Sequence, residues 1–358
     1  MQRIKIIKDV ETMRKMKERC WRYVAFMVCL LMCTYANAQN VIIDGLRYYL
    51  FPDTHEAALN WNTWSGELDI PSEVNYDGQT FTVTGITTNA FWDCNELTKV
   101  RIPKTIEQII HRVLSDDPNV TGQSPPDAMN PFYRCRGLVS IEVDNDNPIM
   151  SSEGGILYSK DKTQLYCYPA GIEQEEFIIP ENVTWVGCGA ISSNQYLSSL
   201  TIPNSVTYCG SVCDNCVNLK TVNLSASITY LPAYSFDRCE SLSFLDIPES
   251  VQGFGESVFR WTHFEKIVIR GTFPGGLRYD TFMLMDEATI LYVQQSEIEK
   301  FKQYYQGTVL PLEEYTSGID PMKKDGTTDT VYDLQGRQLK SLPSKGVYIQ
   351  NGKKVVVK

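Results

Sequence analysis

The sequence predicts a β-rich solenoid with one short parallel strand per 22–23-residue repeat, followed by a small β-hairpin module. Two observations carry that prediction. A frame, Cys-x-x-Leu-x-x-Val-x-Ile-Pro, stands as Cys94-Asn-Glu-Leu97-Thr-Lys-Val100-Arg-Ile102-Pro103 and again as Cys239-Glu-Ser-Leu242-Ser-Phe-Leu245-Asp-Ile247-Pro248. Its last position recurs at Pro180, Pro203, Ser225, Pro248 and Arg270, in steps of 22 or 23 residues. A register held over five units marks stacked repeats, none of which can cover its own apolar face alone.

Within each unit Leu-x-x-Val-x-Ile alternates at period two, the pattern of a half-buried strand. Cys135 to Asp144, Asn194 to Pro203 and Cys216 to Ser225 repeat it, and weaker copies end at Pro71, Pro180 and Arg270. A second apolar element lies between frames: Ile86 to Phe91, Val186 to Ile191 and Leu231 to Phe236, each placing an apolar residue three positions before the Cys or Asn. Solenoid and N-terminal lead-in occupy residues 39–271. Pro103 to Phe132 is 29 residues where Pro180 to Ile191 is 11, so 104–131 is expected to loop out of the solenoid. A second insertion, 147–171, reads as a hairpin turning near Asp161. Residues 272–318 read as a cap and linker: a strand at Ile290-Leu-Tyr-Val293, then a capping box, Ser296-Glu-Ile-Glu299, opening a helix to about Tyr305. In the 319–358 module, Val331 to Leu339 and Gly346 to Val357 read as hairpins, the latter with an Asn351-Gly352 turn.

At the other end, Arg14, Lys15, Lys17, Arg19 and Arg22 precede an apolar run, Val24 to Cys33, and then Ala36-Asn-Ala38. That order is an export signal over 1–38 with cleavage after Ala38, and its apolar core is well short of the roughly 20 residues of a spanning helix. Removing it leaves 25 basic against 40 acidic residues. An acidic surface repels phosphate backbones and anionic lipid, so nucleic acid and membrane insertion of the mature chain are set aside.

The frame resembles the leucine-rich repeats of BspA-type surface proteins of Bacteroidetes, over about residues 41 to 306. Ser65-Gly-Glu-Leu-Asp-Ile-Pro71 and Tyr76 to Ile86 are similar to that family's lead-in segment. The C-terminal module, with its Gly346-Val-Tyr-Ile349 core and basic end, resembles a type IX secretion sorting domain. The resemblances imply adhesion at the outer cell surface and attachment to surface polysaccharide after C-terminal processing.

Candidate chemistry is sparse. Cys209, Cys213 and Cys216 have the spacing of an iron–sulfur ligand set, but the repeat register turns Cys213 and Cys216 into core positions, so no cluster is expected. Cys216 and Cys239 occupy equivalent slots of consecutive turns and are close enough to bridge, although Asn194 in that slot favours reduced, buried thiols. His55, His111 and His263 lie far apart in sequence, and neither a metal nor a cofactor is expected.

What remains is a surface: the outward strand residues Lys99, Arg101, Glu142, Thr201, Asn223, Phe244, Asp246 and Lys266. Stacked, these predict a concave binding strip, basic at its N-terminal end and polar in the middle. At its C-terminal end the outward pair is Glu265 and Ile267 or Lys266 and Val268. Phe244 and the repeat holding Trp261, His263 and Phe264 stand out, since exposed aromatics favour recognition. The expected function is non-enzymatic, adhesin-like binding of an extracellular protein or glycan. The competing readings are a secreted hydrolase built around His111 or Asp116 at an insertion loop, and a self-assembling surface scaffold.

Overall fold

The computed structural model describes residues 38–88, 90–110 and 130–315, and the backbone of four strands between 331 and 357. The expected leader, and His111 and Asp116 in the first insertion, lie outside the described residues.

Each turn of the chain visits three ladders. On the first, the frame's Leu-x-x-Val-x-Ile strands pair in parallel: Gly66–Asp69 with Leu97–Ile102 with Ser140–Val143, and Glu176–Ile178 with Ser199–Thr201 with Thr221–Asn223. On the second, the apolar element between frames does the same. Ile86 pairs with Ile109, Val186 with Leu165 and Cys209, and Leu231 with Phe254. The third is a line of tight turns tied backbone to backbone, Asn215 N donating to Asp237 O at 2.7 Å and Arg238 N to Arg260 O at 3.0 Å. In these turns Asp93, Arg134, Ser193, Asn215, Arg238, Trp261 and Leu284 all have positive φ although none is glycine. The next residue is the frame's Cys slot, filled by Cys94, Cys135, Asn194, Cys216, Cys239, Thr262 and Met285.

That slot selects for more than size. Cys94 Sγ donates to Asn62 O, Cys135 Sγ to Phe91 O and Cys239 Sγ to Cys213 O, while Asn194 Nδ2 donates to Ile172 O. In these four turns the small donor ties its turn to a carbonyl of the turn before, where an unpaired carbonyl would be buried at a cost, whereas Cys216 and Thr262 bond carbonyls of their own turn and Met285 fills the slot without a donor.

The first ladder is not one continuous sheet. It is divided into three, the last running Phe244–Ile247, Lys266–Ile269, Ile290–Val293 and Thr308–Pro311. The cause of the first break is the second insertion, in which the expected hairpin turning near Asp161 forms but as part of a larger sheet inside the solenoid. Met150–Glu153, Ile156–Ser159 and Gln164–Cys167 form an antiparallel meander, and Ile141 N of the last N-terminal strand donates to Gly155 O. Residues of the meander divide between two cores. Leu157, Tyr166 and Cys167 pack with the N-terminal core reaching back to Leu46, whereas Tyr158, Leu165 and Tyr168 pack with the C-terminal core reaching on to Val309. The insertion is an internal wall.

Parallel pairing also passes the expected end of the solenoid, since Ile290–Val293 and Thr308–Pro311 add two strands to the sheet. Between them stand a 3-10 turn, Gln295–Glu297, and a single-turn helix, Ile298–Lys302. The expected capping box does not form: the helix starts after Glu297 with no side-chain cap. Buried Glu297 instead accepts from Lys300 Nζ at 2.7 Å and from Phe273 N at 3.3 Å. At the N-terminal end Gln39–Ile43, Leu46–Phe51 and Glu56–Leu59 form an antiparallel meander that joins the second ladder through Gln79–Thr87. In the C-terminal module Val331–Tyr332, Gln338–Leu339, Gly346–Gln350 and Lys353–Val357 form a four-stranded antiparallel sheet.

Candidate recognition surface

The outward residues of the first ladder align across strands as the period predicts. Asp69, Arg101 and Glu142 are ladder partners, as are Ile178, Thr201 and Asn223. The N-terminal end is not basic, however. Arg101 bonds Asp69 at 2.6 Å, Glu67 at 2.9 Å and Glu142 at 3.1 Å, and Lys99 pairs with Glu142 as well. Two cations are thus set among three carboxylates. The bonds to Asp69 and Glu67 push the Arg101 guanidinium further up, and the bond from Lys99 holds Glu142 below the usual carboxylate range. Glu67 and Asp69 alternate outward around buried Leu68, a signal present in the sequence but not carried onto the strip.

The middle is uncharged at its centre, with Asn223 Nδ2 donating to Thr201 Oγ1 at 3.1 Å and Ile178 65% exposed beside them. At the C-terminal end the register settles which pair points outward. Phe244 aligns with Lys266 and Asp246 with Val268; of the pair Lys266 and Val268 only Lys266 is accessible, since Val268 is as fully buried as Ile267. Phe244 is not an open aromatic: Tyr315 lies across it, and the ring of Tyr292 meets Tyr315 from the other side at 5.3 Å. Lys266 Nζ stands 6.0 Å from the Phe244 ring and 5.8 Å from Tyr315. Arg270 clamps Asp246 through two bonds of 2.7 Å, which raises the pKa of the guanidinium.

A second surface lies on the tight turns around Trp261, which is 40% exposed. Arg238 and Arg260 lie over its ring at 4.2 and 4.3 Å. Arg260 is itself fixed to buried Asp237 by bonds of 3.0 and 2.6 Å and also covers Tyr234. Beside this stack runs a shallow groove of about 490 Å³ lined by Arg238, Glu240, Trp261, His263, Leu284 and Asp286. His263 Nδ1 is 3.3 Å from Asp286 Oδ2, whose pKa is lowered first by the Ala288 N–H and then by that histidine. Of the three residues singled out in this repeat, Trp261 and His263 reach the surface and Phe264 is buried. Indole and guanidinium in mutual contact are the chemistry of protein recognition hot spots.

The thiols belong to the core. No disulfide joins the eight described cysteines, and seven of them are buried. Cys239 Sγ contacts Cys213 Sγ at 3.9 Å, so the neighbour across turns is Cys213 rather than the expected Cys216. Burial pushes the thiols of Cys135, Cys167, Cys209, Cys213 and Cys216 up, away from reactive thiolate. Among the described residues no group of three or more His, Cys, Asp or Glu side chains is placed to hold a metal ion, and no helix is long and apolar enough to cross a membrane.

The crystal structure of the pneumococcal vaccine antigen PcpA aligns over 76% of this chain and 98% of its own, at 14% identity and a TM-score of 0.46. A leucine rich cell surface protein of Faecalibacterium prausnitzii aligns over 76% and 99%, at 18% identity and a TM-score of 0.43. A leucine-rich repeat protein of Bacteroides ovatus aligns over 75% and 66%, at 19% identity and a TM-score of 0.40. No curated protein matches the sequence significantly. The profile of the BspA type leucine rich repeat region matches residues 79–153 and 162–278 in 6 copies. The chain therefore belongs to the BspA-type leucine-rich repeat family, and its fold is a β-rich leucine-rich repeat solenoid.

Proposed function

We propose that this chain is an exported, non-enzymatic recognition module that binds an extracellular protein or glycan through the outward residues of its first ladder, as an adhesin does. The observation that carries this reading is the alignment of Asp69 with Arg101 and Glu142, and of Ile178 with Thr201 and Asn223. Side chains held by paired strands are ordered before a partner arrives, so binding loses little conformational entropy. Charged, hydroxyl and apolar groups follow one another along the strip, which suits an extended partner better than a small enclosed substrate. Location at the outer surface is supported by membership of a family whose structural neighbours include a protein described as a cell surface protein. The leader ending at Ala38 and the sorting-like module from 319 onward fit export followed by attachment to surface polysaccharide.

The test is biolayer interferometry of residues 39–318 against fibronectin, fibrinogen, laminin and surface glycans. Arg101→Ala and a Thr201→Ala/Asn223→Ala pair should each weaken capture at least tenfold at unchanged thermal midpoint. Capture indifferent to all three substitutions would overturn the reading, as would polymer turnover dependent on His111 or Asp116.

A further inference from the structure

The second ladder presents a surface that the proposed function does not use. Its strands Trp185–Val186, Tyr208–Cys209 and Tyr230–Leu231 bury one residue each; Tyr208 and Tyr230 turn outward, while Trp185 is half-buried and packs against the N-terminal core and the Tyr166 ring. Tyr208 is 38% and Tyr230 46% exposed. The Trp185 and Tyr208 rings stack at 5.7 Å with 10° between planes and join two turns of an aromatic ribbon, which is interrupted before Tyr230, whose strand belongs to a separate sheet with Gly253–Phe254. At the far end of the ribbon, a Cβ on Gly253 would lie 2.8 Å from the Tyr230 ring, so one edge of that ring closes on the glycine. Trp185 lies against Gly187 in the same manner, at 3.1 Å. Glycine at these places lets the rings come this close.

Directly before each aromatic stands an exposed threonine: Thr184, Thr207 and Thr229. Thr207 Oγ1 faces Thr184 O at 3.3 Å and Thr184 Oγ1 faces Thr163 O at 3.4 Å, which lines the hydroxyls up along the ribbon. None of these six positions is charged, in a chain of formal net charge −10. Arg278 is held by Asp280 in a bidentate pair of 2.9 and 2.8 Å.

We propose that this ribbon is a binding platform for an uncharged polysaccharide, distinct from the first-ladder strip. The C–H groups on the flat face of a pyranose carry partial positive charge and meet the negative face of an aromatic ring. Sugar hydroxyls find the threonine hydroxyls alongside. The 5.7 Å between the Trp185 and Tyr208 rings is a scale comparable to one sugar unit, so neighbouring units of a linear glycan can meet neighbouring turns. The acidic surface elsewhere repels acidic polysaccharides, and the neutral ribbon offers them no cation.

Affinity electrophoresis of the whole chain through gels containing laminarin, xyloglucan, galactomannan or pullulan, with polygalacturonate as the charged comparison, tests the proposal. At least one neutral polymer should retard the protein, and 0.5 M NaCl should not relieve it. Tyr208→Ala/Tyr230→Ala should lose at least tenfold in affinity, and Tyr208→Phe/Tyr230→Phe should keep it. Thr207→Glu, which keeps the rings and adds a charge to the ribbon, should lose it too and guards against misfolding of the alanine pair. Lys302→Ala, at an exposed pair with Glu299 outside both surfaces, should leave this retardation unchanged. Retardation by none of the four neutral polymers, by polygalacturonate alone, or equally in the parent, alanine and glutamate variants would overturn the proposal.

Discussion

Tyr315 stacks on Phe244 with ring centroids 6.2 Å apart and 13° between planes, so the chain's own segment after the last ladder strand covers the aromatic at the end of the first ladder. Removing that cover should cost stability and increase access together. Tyr315→Ala is expected to lower unfolding free energy by about 1 kcal/mol, the scale of one partly exposed aromatic pair, in urea titration. Acetylation of Lys266 by an amine-reactive ester should become faster. An unaltered acetylation rate would show that Tyr315 does not shield this end.

Arg101 tests the opposite regime. Its three carboxylate partners are exposed, so water and salt already screen much of the attraction. Arg101→Ala should move the thermal midpoint little, with the remaining difference shrinking between 0.05 and about 0.5 M salt as the screening length falls. A large, salt-independent loss would mean that the cluster holds the fold rather than the surface.

Burial and the raised thiol pKa values predict selective chemistry at cysteine. In the folded chain, iodoacetamide near pH 8 should modify Cys188, the half-buried member, ahead of the seven buried ones, with equal labelling in urea. Mass mapping of the modified peptides reads the outcome directly. At the Cys slot, Cys239→Ser should retain more stability than Cys239→Val, because serine preserves a donor toward Cys213 O.

Asp214 supplies a pH signature. It is buried and accepts a bond from the Tyr133 hydroxyl, and burial raises its carboxyl pKa, with Asp237 adding to the rise. A carboxylate whose pKa is raised by folding destabilises the folded chain above that pKa, and the penalty disappears as pH falls toward the unfolded value near 3.9. Asp214→Asn should therefore be more stable than the parent at neutral pH, and the gap should narrow on acidification. A gap that stays constant with pH would refute the assignment.

The internal wall predicts two unfolding units. Leu157 and Leu165 are fully buried on opposite sides of it, and truncating a buried leucine costs roughly 2–5 kcal/mol. Leu157→Ala should shift the transition of the N-terminal core and Leu165→Ala that of the C-terminal core, in calorimetry with two resolvable components. One transition shifted equally by both substitutions would show a single cooperative core.

How much of this was readable in advance follows from the range of each interaction. Parallel pairing repeats a local period, so the alignment of Val100 with Ile141 and of Leu200 with Val222 was legible from spacing alone, as was the recurrence that became the second ladder at Ile86 and Val186. The wall was legible only in part. A hairpin was expected there, but Leu165-Tyr-Cys-Tyr168 is apolar without alternation, the composition of a strand covered on both sides. The cover of Tyr315 over Phe244 joins residues more than three turns apart and leaves no periodic trace. Glu67 and Asp69 were visible as outward residues of a weak copy, but their neutralising role depends on which strand stands beside Arg101.

The left-handed residue ahead of the Cys slot carries a further consequence. A non-glycine side chain there costs the backbone roughly 1 kcal/mol, and seven turns keep one regardless. The hydrogen bonds of the turn set that geometry, so the amino acid is left to vary, like interchangeable type in a fixed line of print. Trp261→Gly would relax the main chain and delete the indole at once, and should therefore hold or raise the melting temperature while impairing whatever docks beside Arg238.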